Sequence, residues 1–194
     1  MASYDSITAL VVVDVQNDFA NPMGSLAVEG GEALIPRIND EVRAAQEAGA
    51  LIVYTQDWHP EVTPHFAKDG GIWPVHCVAG TWGAELHPDL LVVGERVRKG
   101  AHGEDGYSCF TMRDPRSGVT RPTEAEELLR SEGIERVVVC GIATDYCVKD
   151  SVLDSLRLGF PTEVIGDAIA AVNLQQGDGE RALAAMHDAG AVLV

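Results

Sequence analysis

Continuous apolar runs of strand length alternate with longer amphipathic segments along the 194 residues. "ALVVVDV", Ala9 to Val15, is apolar without alternation, the pattern of a strand buried on both faces. The spacing then predicts a helix from Glu32 to Ala48, ended by Gly49, with Pro36 breaking or restarting its first turn. "ALIVYTQDW" reads as a second strand and Glu95 to Arg98 as a shorter third. Thr123 caps a helix that runs to about Ser131 and is stopped by Gly133. "RVVVCG", "PTEVIGD" and the terminal "AVLV" are further strands, separated by helices over Asp145 to Leu158 and Gly179 to Asp188. Strands alternating with helices predict an α/β fold in three layers: a mostly parallel six-stranded sheet with helices on both faces. No repeat, linker or low-complexity tract divides the chain, so 1–194 reads as one domain.

Two segments resist assignment, Pro60 to Pro88 and Gly100 to Pro122. Long irregular segments in an α/β domain are usually functional loops. Ligands of such sheets bind outside the carboxyl ends of the strands. Asp14, Asp57, Lys99 and the turn at Gly141 all fall at those predicted ends. Four polar features on one sheet edge are the first sign of a site.

Composition narrows the partners. A formal charge of -16 argues against nucleic acid and against anionic membrane surfaces. The N-terminal apolar run is strand-length and lacks a basic flank, and no stretch is long enough to span a membrane, so a cytoplasmic protein is expected. Cys77, Cys109, Cys140 and Cys147 are few and spread out, which favours reduced thiols over disulfides. Self-association into a homo-oligomer stays open.

The candidate chemistry lies at the strand ends. "QDWHPEVTPHFAKDGGIWPVHC" holds Asp57, His59, His65 and His76, a set of one carboxylate and three imidazoles suited to zinc, manganese or iron(II). The same histidines could simply cap turns beside prolines, and spacing does not separate the two readings. His87, His102 and His187 lie outside this stretch and read as ordinary packing or surface residues. Cys147 falls in the first turn of its predicted helix, with Thr144 or Asp145 as N-cap. Unpaired N–H groups there can lower a thiol pKa and receive an oxyanion. Free cysteine is also among the most buried residue types, and Cys140 fits that plain role. Asp14 interrupts an apolar strand, and a buried carboxylate needs a partner. Lys99 beside Asp14 and Cys147 would make a set suited to acyl transfer.

Taken together and in order, "VVVDVQNDF" with "GSLAV", "DWHPEVTPHF", "WPVHCVAGTWGAELHP", "KGAHGEDGYSCF" and "VVVCGIATDYCVKDS" are specific. The chain resembles the nicotinamidase (pyrazinamidase) branch of the isochorismatase-like cysteine hydrolases, from the first strand to the last. The resemblance implies that Cys147 is the nucleophile, Asp14 the general base and acid, and Lys99 the third member of a triad. It implies one divalent transition metal ion (zinc, iron or manganese) on Asp57, His59, His65 and His76, with waters completing the sphere. Phe19, Trp73, Tyr107 and Ile142 match positions around the substrate. "GIAT" matches a turn with a cis peptide between Ile142 and Ala143, which implies an oxyanion hole of the Ala143 and Cys147 N–H groups.

The implied activity is hydrolysis of nicotinamide to nicotinate and ammonia through a cysteine thioester, with pyrazinamide as a second substrate, in NAD salvage. Some relatives lack the metal set, and all four of its positions are filled in this chain. Two other readings compete: a carbamoyl or ureido amidohydrolase using the same triad, and a silent binding protein with a structural Cys147. The first lacks a pyridine nitrogen for the metal, and the second would be expected to have lost a triad member.

Overall fold

The computed structural model describes residues 2–194. Its first half runs β1 (Thr8–Val13), α1 (Asn17–Ala20), α2 (Ile35–Glu47), β2 (Leu51–Asp57) and β3 (Glu95–Lys99). The second half runs β4 (Thr111–Arg113), β5 (Thr120–Pro122), α3 (Ala125–Ser131), β6 (Arg136–Ile142), α4 (Lys149–Arg157), β7 (Thr162–Ala170), α5 (Asp178–Asp188) and β8 (Val192–Leu193). Six strands form one sheet in the order β3-β2-β1-β6-β7-β8, and every neighbouring pair is parallel.

The unbroken apolar runs follow from two-sided burial. Leu10 and Val12 of β1 face the core beneath α2, whereas Ala9, Val11 and Val13 face the core beneath α3, α4 and α5. Val138 and Cys140 of β6 join the first core, and Val137 and Val139 the second. Successive side chains on a strand point to opposite faces, so both sets of positions must be apolar.

The chain moves outward from β1 to β2 and β3, then crosses back to β6 and continues to β7 and β8. The gap between β1 and β6 is therefore the switch point of the sheet, where a crevice opens at the carboxyl ends. Gly141 permits this close pairing: its φ is +113°, and a Cβ there would run into the Val13 carbonyl.

Pro36 restarts the helix as its position predicts, sitting in the first turn of α2 after a separate 3₁₀ turn at Glu32–Leu34. Three expectations need correction. β1 ends at Val13, not Val15, because Asp14 turns left-handed with φ 48°. The segment from Gly100 to Pro122 contains the antiparallel hairpin of β4 and β5, whose strands are too short and too exposed to show an apolar pattern. The helix after β6 opens as a π-helical turn, Thr144–Val148, and neither Thr144 nor Asp145 caps it by a side chain. Among the described residues, no helix is long and apolar enough to cross a membrane.

Candidate active site

Parallel pairing brings the acidic and basic strand ends together. Asp57 and Lys99 are register partners at the ends of β2 and β3. Asp14 follows β1 directly, and the peptide between Ile142 and Ala143 that leads into the π-helical turn is cis.

Lys99 Nζ lies 2.7 Å from Asp14 Oδ2 and 3.2 Å from Asp57 Oδ1, and donates to the Tyr107 carbonyl at 3.1 Å. Cys147 Sγ sits within 4.8 Å of carboxylate oxygens of both aspartates. Asp14 and Lys99 are fully buried behind Cys147. Thr55 completes the set: its hydroxyl donates to Asp14 Oδ1 at 2.6 Å and accepts the Asp14 N–H at 3.1 Å.

Burial and charge act against each other here. Burial raises the Asp14 carboxyl, Lys99 opposes it, and the result is about 6. Burial also raises Asp57, but Lys99, His59 and His76 more than offset it and hold that carboxyl below the usual range. Burial would lower the Lys99 ammonium, yet Asp14, Asp57 and Cys147 keep it firmly charged. Burial pushes the Cys147 thiol well up, and Lys99 recovers only part of this. The expectation of a thiol lowered by its helix end is thus reversed at rest. The thiol is protonated and needs a base beside it.

The histidines converge as well. Donor atoms of His59, His65 and His76 lie within 4.8 Å of one another, and Asp57 Oδ2 is 3.7 Å from His59 Nε2 and 3.8 Å from His76 Nε2. His65 Nδ1 is bonded to Asp105 at 2.6 Å and His76 Nδ1 to the Pro74 carbonyl at 2.7 Å. Each bond fixes Nδ1 as the donor and leaves Nε2 with a free lone pair. Burial lowers His76 to about 4, which keeps that lone pair available. Both nitrogens of His59 are buried without a hydrogen-bond partner among the described residues. Orphaned imidazole nitrogen beside two lone pairs and a carboxylate fits a divalent transition metal. Gly100 makes room for the His59 ring, since a Cβ there would meet His59 Cε1 at 2.5 Å.

A small cavity with mostly apolar walls opens in front of Cys147. Phe19, Trp73, Tyr107, Ile142 and Ala143 all line it, together with Asp57, His65 and His76. His59 is buried behind that wall. Trp73 Nε1 donates to the Tyr107 hydroxyl at 2.7 Å, tying two loop aromatics together. His87 is buried elsewhere, and His102 and His187 are exposed. All four cysteines are free thiols.

Several contributors escaped the sequence reading. Thr55 looks like any β-branched strand residue. Gln16 clamps Asp57 by accepting its N–H and donating to its carbonyl, both at 2.8 Å. Tyr146 lines the cavity and meets the edge of Trp73, with ring centres 4.9 Å apart. Leu26, Val28 and Val172 add apolar wall. Buried Gln16 in an apolar context was the one readable signal among them.

Comparison with known proteins accords with this geometry. A nicotinamidase of Escherichia coli (strain K12) is 36% identical over 203 residues, covering 95% of this chain and 93% of its own. The crystal structure of a pyrazinamidase of Pyrococcus horikoshii in complex with zinc is 40% identical, with a TM-score of 0.86 over 97% of this chain and 98% of that one. PnC1 from L. infantum in complex with nicotinate is 38% identical, with a TM-score of 0.89 over 100% of this chain and 95% of that one. The Isochorismatase domain matches residues 8–194. Because that match begins with the first residue of β1 and runs past the last of β8, the chain belongs to the isochorismatase family.

Proposed function

We propose that this protein hydrolyses nicotinamide to nicotinate and ammonia, with pyrazinamide as a further substrate, and that it serves NAD salvage in the cytoplasm as one domain. One observation carries the reading. A thiol faces an aromatic-walled cavity, with a buried Asp–Lys pair behind it and a metal-type donor set beside it.

The ring lies among Phe19, Trp73 and Tyr107, with its carboxamide toward Cys147. Asp14 takes the thiol proton, and the sulfur attacks the carbonyl carbon. The Ala143 and Cys147 N–H groups receive the oxyanion as it forms. Asp14 passes its proton to the departing nitrogen, ammonia leaves, and a thioester remains. A water then gives its proton to Asp14 while its oxygen attacks the thioester. The sulfur takes that proton back as the carboxylic acid leaves, and the acid gives up its remaining proton to solvent to become nicotinate. Lys99 keeps Asp14 and Asp57 together without repulsion throughout. Asp57, His59, His65 and His76 would hold a divalent ion, whose contribution when bound is a coordination site for the pyridine nitrogen.

Two predictions follow from these assignments. Asp14 must be ionised to accept the thiol proton, and its carboxyl is raised to about 6. The rate should therefore fall by about tenfold per pH unit below that value, read as the acid limb of kcat/KM against pH. An acid limb that stays flat to pH 4.5 contradicts Asp14 as the base. The function itself is tested by ammonia release from nicotinamide before chelation, after chelation, and after adding back zinc, manganese or iron(II). Activity that falls and returns is expected. Release indifferent to metal would point to an amide without a pyridine nitrogen, and no release at all would leave a binding protein.

A further inference from the structure

Asp145 does not cap the turn it begins. Its buried carboxylate crosses to the loop after β7, where one oxygen accepts the Val172 N–H at 2.9 Å and the other the Asn173 N–H at 2.8 Å. Asn173 is left-handed, with φ 52°, and its own side-chain oxygen accepts the Gly179 N–H of α5 at 2.9 Å. The loop is thus pinned at both ends, and its Val172 forms part of the cavity wall with Cys147. Only Tyr146 lies between Asp145 and Cys147, so one short turn carries both the thiol and the clamp on the wall.

We propose that Asp145 is a positioning residue that sets how large a ring substituent the cavity accepts, by holding Val172 at a fixed distance from the π-helical turn. This rests on the nicotinamide reading. A carboxylate suits the task because the two N–H donors are directed at different oxygens, and an amide offers an oxygen at only one of those two positions. In Asp145→Asn, one N–H must face an NH₂ group, and the wall is released. A fixed apolar wall rejects an extra methyl group, whereas a released one yields to it.

The test compares kcat/KM for nicotinamide with that for nicotinamide methylated at ring carbon 5, using metal-loaded protein. Wild type should favour the unsubstituted ring. Asp145→Asn and Val172→Ala should each lower that preference by at least about fivefold. A merely structural role for Asp145 would lower both activities together and leave the ratio unchanged, which overturns the proposal. Amide hydrogen exchange in the wild type provides a second measurement that does not depend on the variant folding. Protected Val172 and Asn173 amides support the clamp, and unprotected ones overturn it. Failure of the wild type to hydrolyse nicotinamide would instead sink the proposed function, whatever the exchange shows.

Discussion

Cys147→Ala is expected to release no ammonia from nicotinamide above background, a loss of at least about 10⁴-fold. The reason is local. Among the described residues that line the cavity, Cys147 offers the one thiol, and the buried Asp14–Lys99 pair lies directly behind it. Cys140, a few residues away in the chain, packs into the opposite core beneath α2 and cannot substitute. Removing one sulfur leaves the carboxylates, the lysine and the aromatic walls in place. Nicotinamide should therefore still bind, and the thermal midpoint should shift little. Cys147→Ser should also be nearly inactive, since a carboxylate poised near 6 is too weak a base for an alcohol. The measurements are coupled ammonia release, calorimetric binding of nicotinamide and a melting curve. Ammonia release that survives Cys147→Ala, on protein freed of contaminating amidase, would remove the nucleophile from the mechanism.

Lys99→Met is expected to damage both stability and chemistry. Lys99 is completely buried between Asp14 and Asp57, so its removal leaves two carboxylates inside the protein without their cation. Breaking a buried pair in this way costs about 3–5 kcal/mol. For a chain of this size that corresponds to a fall of roughly 6–20 °C in melting temperature.

The pH dependence of the loss has a defined sign. Asp57 is held below its unfolded value in the wild type, so it adds stability above that value and loses it as pH falls through its folded one. Asp14 is raised, so its ionisation costs stability above about 6 and this cost is relieved in acid. Without Lys99 both carboxyls shift upward and protonate more readily. The gap between variant and wild type should accordingly be widest near pH 8 and narrow toward pH 5. Activity at neutral pH should fall by more than about 10²-fold, because Asp14 would no longer be ionised beside the thiol. Equal melting curves at pH 8 would show that the lysine carries no such burden.

Some of this was legible in one dimension. The strands buried on both faces announced themselves, because two-sided burial requires the unbroken apolar runs Ala9–Val13 of β1 and Val137–Cys140 of β6. The residue types of the site were readable as well: Asp14 inside an apolar run, a loop with three histidines, and a cysteine just past a glycine-ended strand. Other features left no local mark. Thr55 has the appearance of an ordinary strand residue, and only its neighbour across the sheet makes it a support for Asp14. The β4–β5 hairpin is three residues a side and largely exposed, so no periodicity could develop. Asp145 had the composition of a helix cap, yet its partners lie 27 and 28 residues further along the chain.

The sequence by itself therefore determined the order of elements, the two-faced sheet and the kinds of side chain available at its carboxyl edge. Those are local properties, set by burial and by backbone preference within a few residues. The tertiary structure alone decided which of them meet. It put Lys99 between two aspartates and left the Cys147 thiol protonated. It also turned Nε2 of His65 and His76 free by bonding their other nitrogens, and spent Asp145 on a distant loop. Each of those outcomes depends on desolvation and charge summed over residues far apart in the chain, a quantity that exists only once the chain is folded.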